Sequence, residues 1–244
     1  MNDNQNTVRL KYLLPFRSIV FLLIFIVGAA VTGKQVKEIG SCWSIAASAV
    51  NIVTILLIVL LAKKAGTDFK ELMSLEKGKN TVKKTVLISL GLAMIGMSGM
   101  YLAGFVCYGS FMPEVSLDIA APIAVPLAVM NLIILPLTVP FAEDGLYLGC
   151  GVGCIKNKYA SIIVPAFFYA LQHCFIPTVF DARYMIYRFI SFLPLTVIFC
   201  IYFRRKRDPL PILISHALLD MSTAMLILIT SAVPGLYDSW REMI

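Results

Sequence analysis

Seven stretches of this chain carry no Asp, Glu, Lys or Arg: 18–33, 39–62, 85–113, 119–142, 159–180, 189–203 and 221–237. Most of them approach or exceed the roughly 20 residues of helix that cross a bilayer core. So many apolar segments have too few polar residues between them to clothe a water-soluble body. The pattern therefore predicts an all-α, polytopic transmembrane bundle of about seven to eight helices. Composition points the same way, since 59% of the 244 residues are apolar and only 14% charged, against about a quarter charged in a soluble domain. One bundle uses the whole length as a single structural domain, with N-terminal helices over 1–118, a core over 119–232 and a short tail over 233–244.

The net charge of +7 does not point to nucleic acid, because the basic residues sit in the connections and form no patch with interleaved aromatics. They are densest at Lys63, Lys64, Lys70, Lys77, Lys79, Lys83 and Lys84, and again at Arg204, Arg205, Lys206 and Arg207. The positive-inside rule puts both connections in the cytoplasm, together with an N-terminus carrying Arg9, Lys11 and Arg17. No small-x-small cleavage site precedes Lys34, so the first block is read as a retained signal anchor. Residue usage and length favour a bacterial plasma membrane.

Helices are expected at about 13–32, 41–62, 85–107, 159–176, 185–203 and 210–232. The remaining block, 119–155, is long enough for two crossings and is broken by Pro122, Pro126, Pro136 and Pro140. Two crossings would put Arg204–Arg207 outside, so one kinked or partly re-entrant passage is expected there. Gly145, Gly149 and Gly153 recur at spacing four, as a face for close helix approach. Phe69, Leu72, Met73 and Leu75, among Lys and Glu, fit either a short amphipathic helix on the inner leaflet or a solvated linker.

Ionisable groups inside membrane helices are costly and are retained mainly where function or burial compensates. Here Glu143 and Asp144 lie in one apolar segment, His173 in the next, and His216 and Asp220 in the last. The chain has only two histidines, and both fall within apolar helices. At a helical rise of 1.5 Å per residue, Glu143 lies about 20 Å from Lys156, His173 about 22 Å from Lys158 and His216 about 13 Å from Arg207. All three can meet near mid-membrane. The six cysteines are spread through the apolar blocks as packing residues, with a thiolate metal site at Cys150, Cys154 and Cys174 as the lesser alternative.

The order and spacing of these residues resemble the family of CAAX prenyl endopeptidases and bacteriocin-processing enzymes (the CPBP family). Its members carry Glu-Glu-x-x-x-Arg-Gly, then Phe-x-x-x-His, then His-x-x-x-Asn or His-x-x-x-Asp on successive membrane helices. The corresponding stretches here are Glu143-Asp144-x-x-x-Leu148-Gly149, Tyr169-x-x-x-His173 and His216-x-x-x-Asp220. Asp144 and Tyr169 are conservative departures. Leu148 is not, because it deletes a cation.

The resemblance implies an intramembrane endopeptidase whose 119–232 segment is the catalytic core and whose substrate is a membrane-associated peptide or protein at the bilayer, in peptide-precursor processing or self-immunity. Glu143 would be the general base, His173 would help hold the water, and His216 would face the oxyanion with Asp220 orienting its ring. No cofactor is required in that mechanism. A divalent metal such as zinc on Glu143, His173 and His216 is the alternative use of the same groups. An inactive binding or immunity protein, or a transporter subunit with a buried proton path, are the competing readings. With Leu148 in place of Arg, Asp144 stays protonated or finds a cation elsewhere in the bundle; Arg188 is the candidate donor, and a place at the outer interface beside Arg183 is the alternative for it.

Overall fold

The computed structural model describes residues 9–75, 80–176 and 181–244. Lys77 and Lys79, assigned above to a basic connection, lie outside the described residues. Helix α1 (Phe16–Thr32) follows a 3-10 turn at Arg9–Leu13, and α2 (Trp43–Lys64) returns to a short helix, α3 (Phe69–Met73). Next come α4 (Val82–Tyr108), α5 (Val125–Val139), a π-helical segment (Pro140–Val152) and α6 (Ala160–Gln172). The chain ends with α7 (Ala182–Lys206), α8 (Leu210–Ala232) and α9 (Leu236–Met243).

Among the described residues six helical spans are long and apolar enough to cross a membrane, and Ala160–Phe175 is a shorter apolar helix beside them. Leu23, Val53, Leu87, Leu102 and Ile133 point outward and exposed, which only a hydrocarbon solvent tolerates on this scale. The chain is thus an all-helical, multi-pass membrane protein. The proline-broken block forms one passage, Val125–Val152.

Helix ends follow local chemistry. Asp68, Thr81 and Asp181 accept from the backbone N–H three residues on and start α3, α4 and α7, satisfying donors that have no intrahelical partner. Gly109 closes α4 at φ 70°, a backbone conformation that glycine adopts without steric cost.

One expectation is narrowed. The segment around Phe69 forms a short helix, α3, whose apolar residues turn into the bundle: Leu72 and Met73 are buried, and an added Cβ on Gly145 would stand 2.8 Å from the Phe69 ring. The absent side chain lets α3 wedge against the π-helical segment. The short tail 233–244 contains α9, tied to the segment after α4 by an Arg241–Glu114 ion pair. Around the site, α2, α6, α7 and α8 all pack on the π-helical segment.

Candidate active site

Pro140 has no N–H to give to the helix it enters, and the winding loosens there from α to π over Pro140–Val152. Wider π turns within α-helices recur at functional sites. All but Phe141 of this segment is buried, including Glu143 at 3% exposure and Asp144 at 0%. The two adjacent carboxylates meet different partners.

Glu143 meets Arg17 of α1. The guanidinium is fully buried and donates from Nη2 to Glu143 Oε1 at 2.8 Å, from Nε to Gln172 Oε1 at 2.6 Å and from Nη1 to Thr54 Oγ1 at 3.2 Å. The sequence reading placed Arg17 at the cytoplasmic flank. It stands instead inside the apolar span Arg9–Thr32, among the active groups. The signal was present, because Leu10, Leu13 and Leu14 precede Arg17 and continue the apolar helix toward the N-terminus. Gln172 and Thr54 were also missed; each is a neutral residue in an apolar run whose purpose appears only once the arginine is placed.

Asp144 meets α6 and α8. Tyr169 donates its hydroxyl to Asp144 Oδ1 at 2.8 Å, and His216 Nδ1 lies 3.0 Å from that hydroxyl and 3.3 Å from Asp144 Oδ2. Tyr169 is itself stacked on Tyr147, with ring centroids 4.4 Å apart. Asp144 is thus satisfied by a phenol and an imidazole. The candidate Arg188–Asp144 pair does not form: Arg188 donates from Nη2 to Ile176 O at 2.9 Å and from Nε to His173 O at 3.3 Å. The turn that ends α6 presents those carbonyls, and backbone acceptors of this kind have no sequence signature.

The groups named from the sequence converge on the free oxygen of Glu143. His173 Nε2 is 3.8 Å and His216 Nε2 3.7 Å from Glu143 Oε2, and His216 Nε2 is 3.6 Å from Asp220 Oδ2. These gaps exceed a direct hydrogen bond. Glu143 Oε2 and Asp220 Oδ2 have no hydrogen-bond partner, although buried carboxylate oxygens almost always have one. Four polar atoms from three elements therefore face a common space. That space belongs to a largely apolar cavity of about 510 Å³ whose walls include Glu143, Tyr169, His173, Arg188, His216 and Asp220. Phe192 stacks on His173 at 3.6 Å and holds its ring flat against one wall.

Among the described residues no group of three or more His, Cys, Asp or Glu side chains closes to metal-holding geometry, and Glu143 already shares one oxygen with a guanidinium. The residues do not fit a zinc site, and the cysteines named in the thiolate alternative form none; Cys174 instead turns its sulfur to Met185 O at 3.3 Å.

Residues 125–222 match the family model of Rce1-like proteins, the type II CAAX prenyl endopeptidases. Over this segment the chain is similar to the Rce1-like family. No curated protein and no solved structure matches the chain. The Rce1-like segment contains Glu143, Asp144, Tyr169, His173, Arg188, His216 and Asp220. Arg17 and Thr54 lie outside it, so the guanidinium bound to Glu143 reaches the Rce1-like core from the N-terminal helices.

Proposed function

We propose that this protein is an intramembrane endopeptidase that hydrolyses a peptide bond of a membrane-associated peptide or protein with a glutamate-activated water. The observation that carries the reading is the convergence of the unpartnered Glu143 Oε2 with His173 Nε2, His216 Nε2 and Asp220 Oδ2 on one cavity. A water between these atoms has the several polar partners that a buried water requires.

In this reading Arg17 holds Glu143 by Oε1 and turns Oε2 to the water. Glu143 takes a proton as the water oxygen bonds to the substrate carbonyl carbon, and His173 Nε2 keeps that water in line. His216 faces the resulting oxyanion with its Nε2–H, its ring oriented by Asp144 on the Nδ1 side and Asp220 on the Nε2 side. The proton on Glu143 then passes to the amide nitrogen as the C–N bond breaks, which restores the carboxylate and releases a carboxylic acid and an amine. No metal enters any step.

The inactive reading rested on Leu148 replacing the motif cation. Arg17 supplies a guanidinium to Glu143, the first of the two acidic residues, which favours an active enzyme. A role in processing peptide precursors or in self-immunity is consistent with the largely apolar cavity around these groups. The test is direct: purified protein in lipid vesicles is incubated with a library of membrane peptides and the products are read by mass spectrometry. Discrete new termini support the reading, and an intact library contradicts it.

A further inference from the structure

The last helix, α9, carries an apolar stripe that the rest of the bundle leaves uncovered. Leu236, Tyr237, Trp240, Met243 and, just beyond the helix, Ile244 recur at the spacing of one helix face, with Asp238, Ser239, Arg241 and Glu242 on the other. No residue of α9 is buried, and Met243 stays 73% and Ile244 51% exposed. Yet Trp240, Met243 and Ile244 form part of the wall of the cavity that holds Glu143, His173 and Asp220. The stripe therefore faces the space of the candidate site.

The mounting of α9 is that of a hinged part. The end of α8 is fixed, because Thr230 donates to Ala120 O at 2.7 Å and Ser231 Oγ accepts from the Ile123 N–H at 3.0 Å. The chain then becomes extended at Val233 (φ −108°, ψ 104°), passes Pro234 and turns at Gly235 with φ 76°. An added Cβ on Gly235 would meet nothing within 4 Å, so no packing locks the turn. A few residues between two helices, free of this kind of packing, are where a change of backbone angle is absorbed. Beyond the turn Arg241 donates to Glu114 Oε1 from Nε at 3.0 Å and from Nη2. Both side chains are partly exposed, at 34% and 54%, and such a pair shifts an equilibrium by about fivefold at most. Glu114 opens the 3-10 segment Glu114–Ala120, whose Leu117 and Ile119 line the same cavity. The ion pair thus joins two pieces of one wall.

We propose that α9 is a flap on the cavity, hinged at Pro234–Gly235 and latched by Arg241 to Glu114, which closes over an apolar peptide segment and contacts it through Trp240, Met243 and Ile244. Closure covers apolar surface on the flap and on the occupant together, which slows release of the occupant. The latch holds the closed position without touching the occupant, since neither Arg241 nor Glu114 lines the cavity. The flap rests on the protease reading only in calling its occupant a substrate.

The experiment uses a dansyl-labelled peptide of twelve Leu and Ala residues, capped at both ends, and the Glu143→Gln protein in phosphatidylcholine bilayers. Association and release are followed by stopped-flow fluorescence. Removing residues 235–244 should raise the release rate about tenfold, and Trp240→Ala should reproduce part of that rise. Glu114→Gln and Arg241→Gln should each speed release about two- to fivefold. The exchange of Glu114→Arg with Arg241→Glu should restore slow release, which a loss of folding would not allow. Added salt should speed release only where the ion pair is present. Equal release from the intact and the shortened protein overturns the proposal, as does failure of the intact protein to bind the peptide. Faster association with unchanged release in the shortened protein would make α9 a plug and overturn it as well. Release that depends on α9, in a protein whose wild type cleaves no membrane peptide, would sink the protease reading and leave the flap standing.

Discussion

Arg17 and Glu143, 126 positions apart in the chain, are joined Nη2 to Oε1 at 2.8 Å inside the bundle. The link ties the first helix, outside the Rce1-like segment, to the carboxylate at the centre of the candidate site. With Leu148 at the position of the motif arginine, Asp144 is met instead by Tyr169 and His216.

Removing one partner of a buried pair leaves the other charge uncompensated and costs about 3–5 kcal/mol. Arg17→Leu should therefore lower thermal stability in detergent sharply and remove activity, and Arg17→Lys should retain part of both. A double-mutant cycle with Arg17→Leu and Glu143→Leu should show coupling of more than about 1 kcal/mol. Additive losses would mean that the pair is not formed in the folded protein. Leu148→Arg in the wild-type background should destabilise without raising turnover.

Tyr169→Phe restores the residue that the motif carries at this position but deletes the hydroxyl between Asp144 and His216. Asp144 then loses one donor, at a cost of about 1–3 kcal/mol. Turnover should fall by roughly tenfold and not vanish, because neither Glu143 nor His173 is touched. Complete loss of hydrolysis in a folded variant would give Tyr169 a direct part in the chemistry.

Much of the architecture was legible in the sequence because membrane helices must be apolar along their length. The uncharged blocks located the spans, and the proline-rich block was placed as one passage from loop charge alone. Glu143, Asp144, Tyr169, His173, His216 and Asp220 stood out as polar residues with motif spacing in apolar runs, and the structure gathers all six. Arg17 was lost because it borders an uncharged block and looked like an ordinary flanking cation. Arg188 was noticed, yet its partners are backbone carbonyls that depend on how α6 ends. The change from α to π winding at Pro140 has no local code beyond the proline, and its consequence for Glu143 follows from packing.

Gly145 gives a test of that packing. Its absent Cβ would lie 2.8 Å from the Phe69 ring and 3.4 Å from Ile58 Cδ1, so Gly145→Val should cost about 1–3 kcal/mol by overpacking. Phe69→Ala should relieve much of the clash in the double variant. If Gly145→Val melts like the wild type, α3 does not sit against the π-helical segment.

Extended chelation with a tight zinc ligand should leave cleavage unchanged, and elemental analysis of active protein should find no stoichiometric metal. One zinc per chain, lost together with activity, would require a rearranged site in which Glu143 leaves Arg17.

The central claim is that Glu143 activates the water, and Glu143→Gln tests it most directly because the amide oxygen can still accept from Arg17 while the basic oxygen is gone. Single-turnover hydrolysis of a cleaved membrane peptide should be measured for wild type, Glu143→Gln and His173→Ala in the same vesicles, with thermal melts to verify folding. The account predicts no detectable product from Glu143→Gln and from His173→Ala, with Glu143→Gln melting well above Glu143→Leu. Wild-type hydrolysis by folded Glu143→Gln would contradict it.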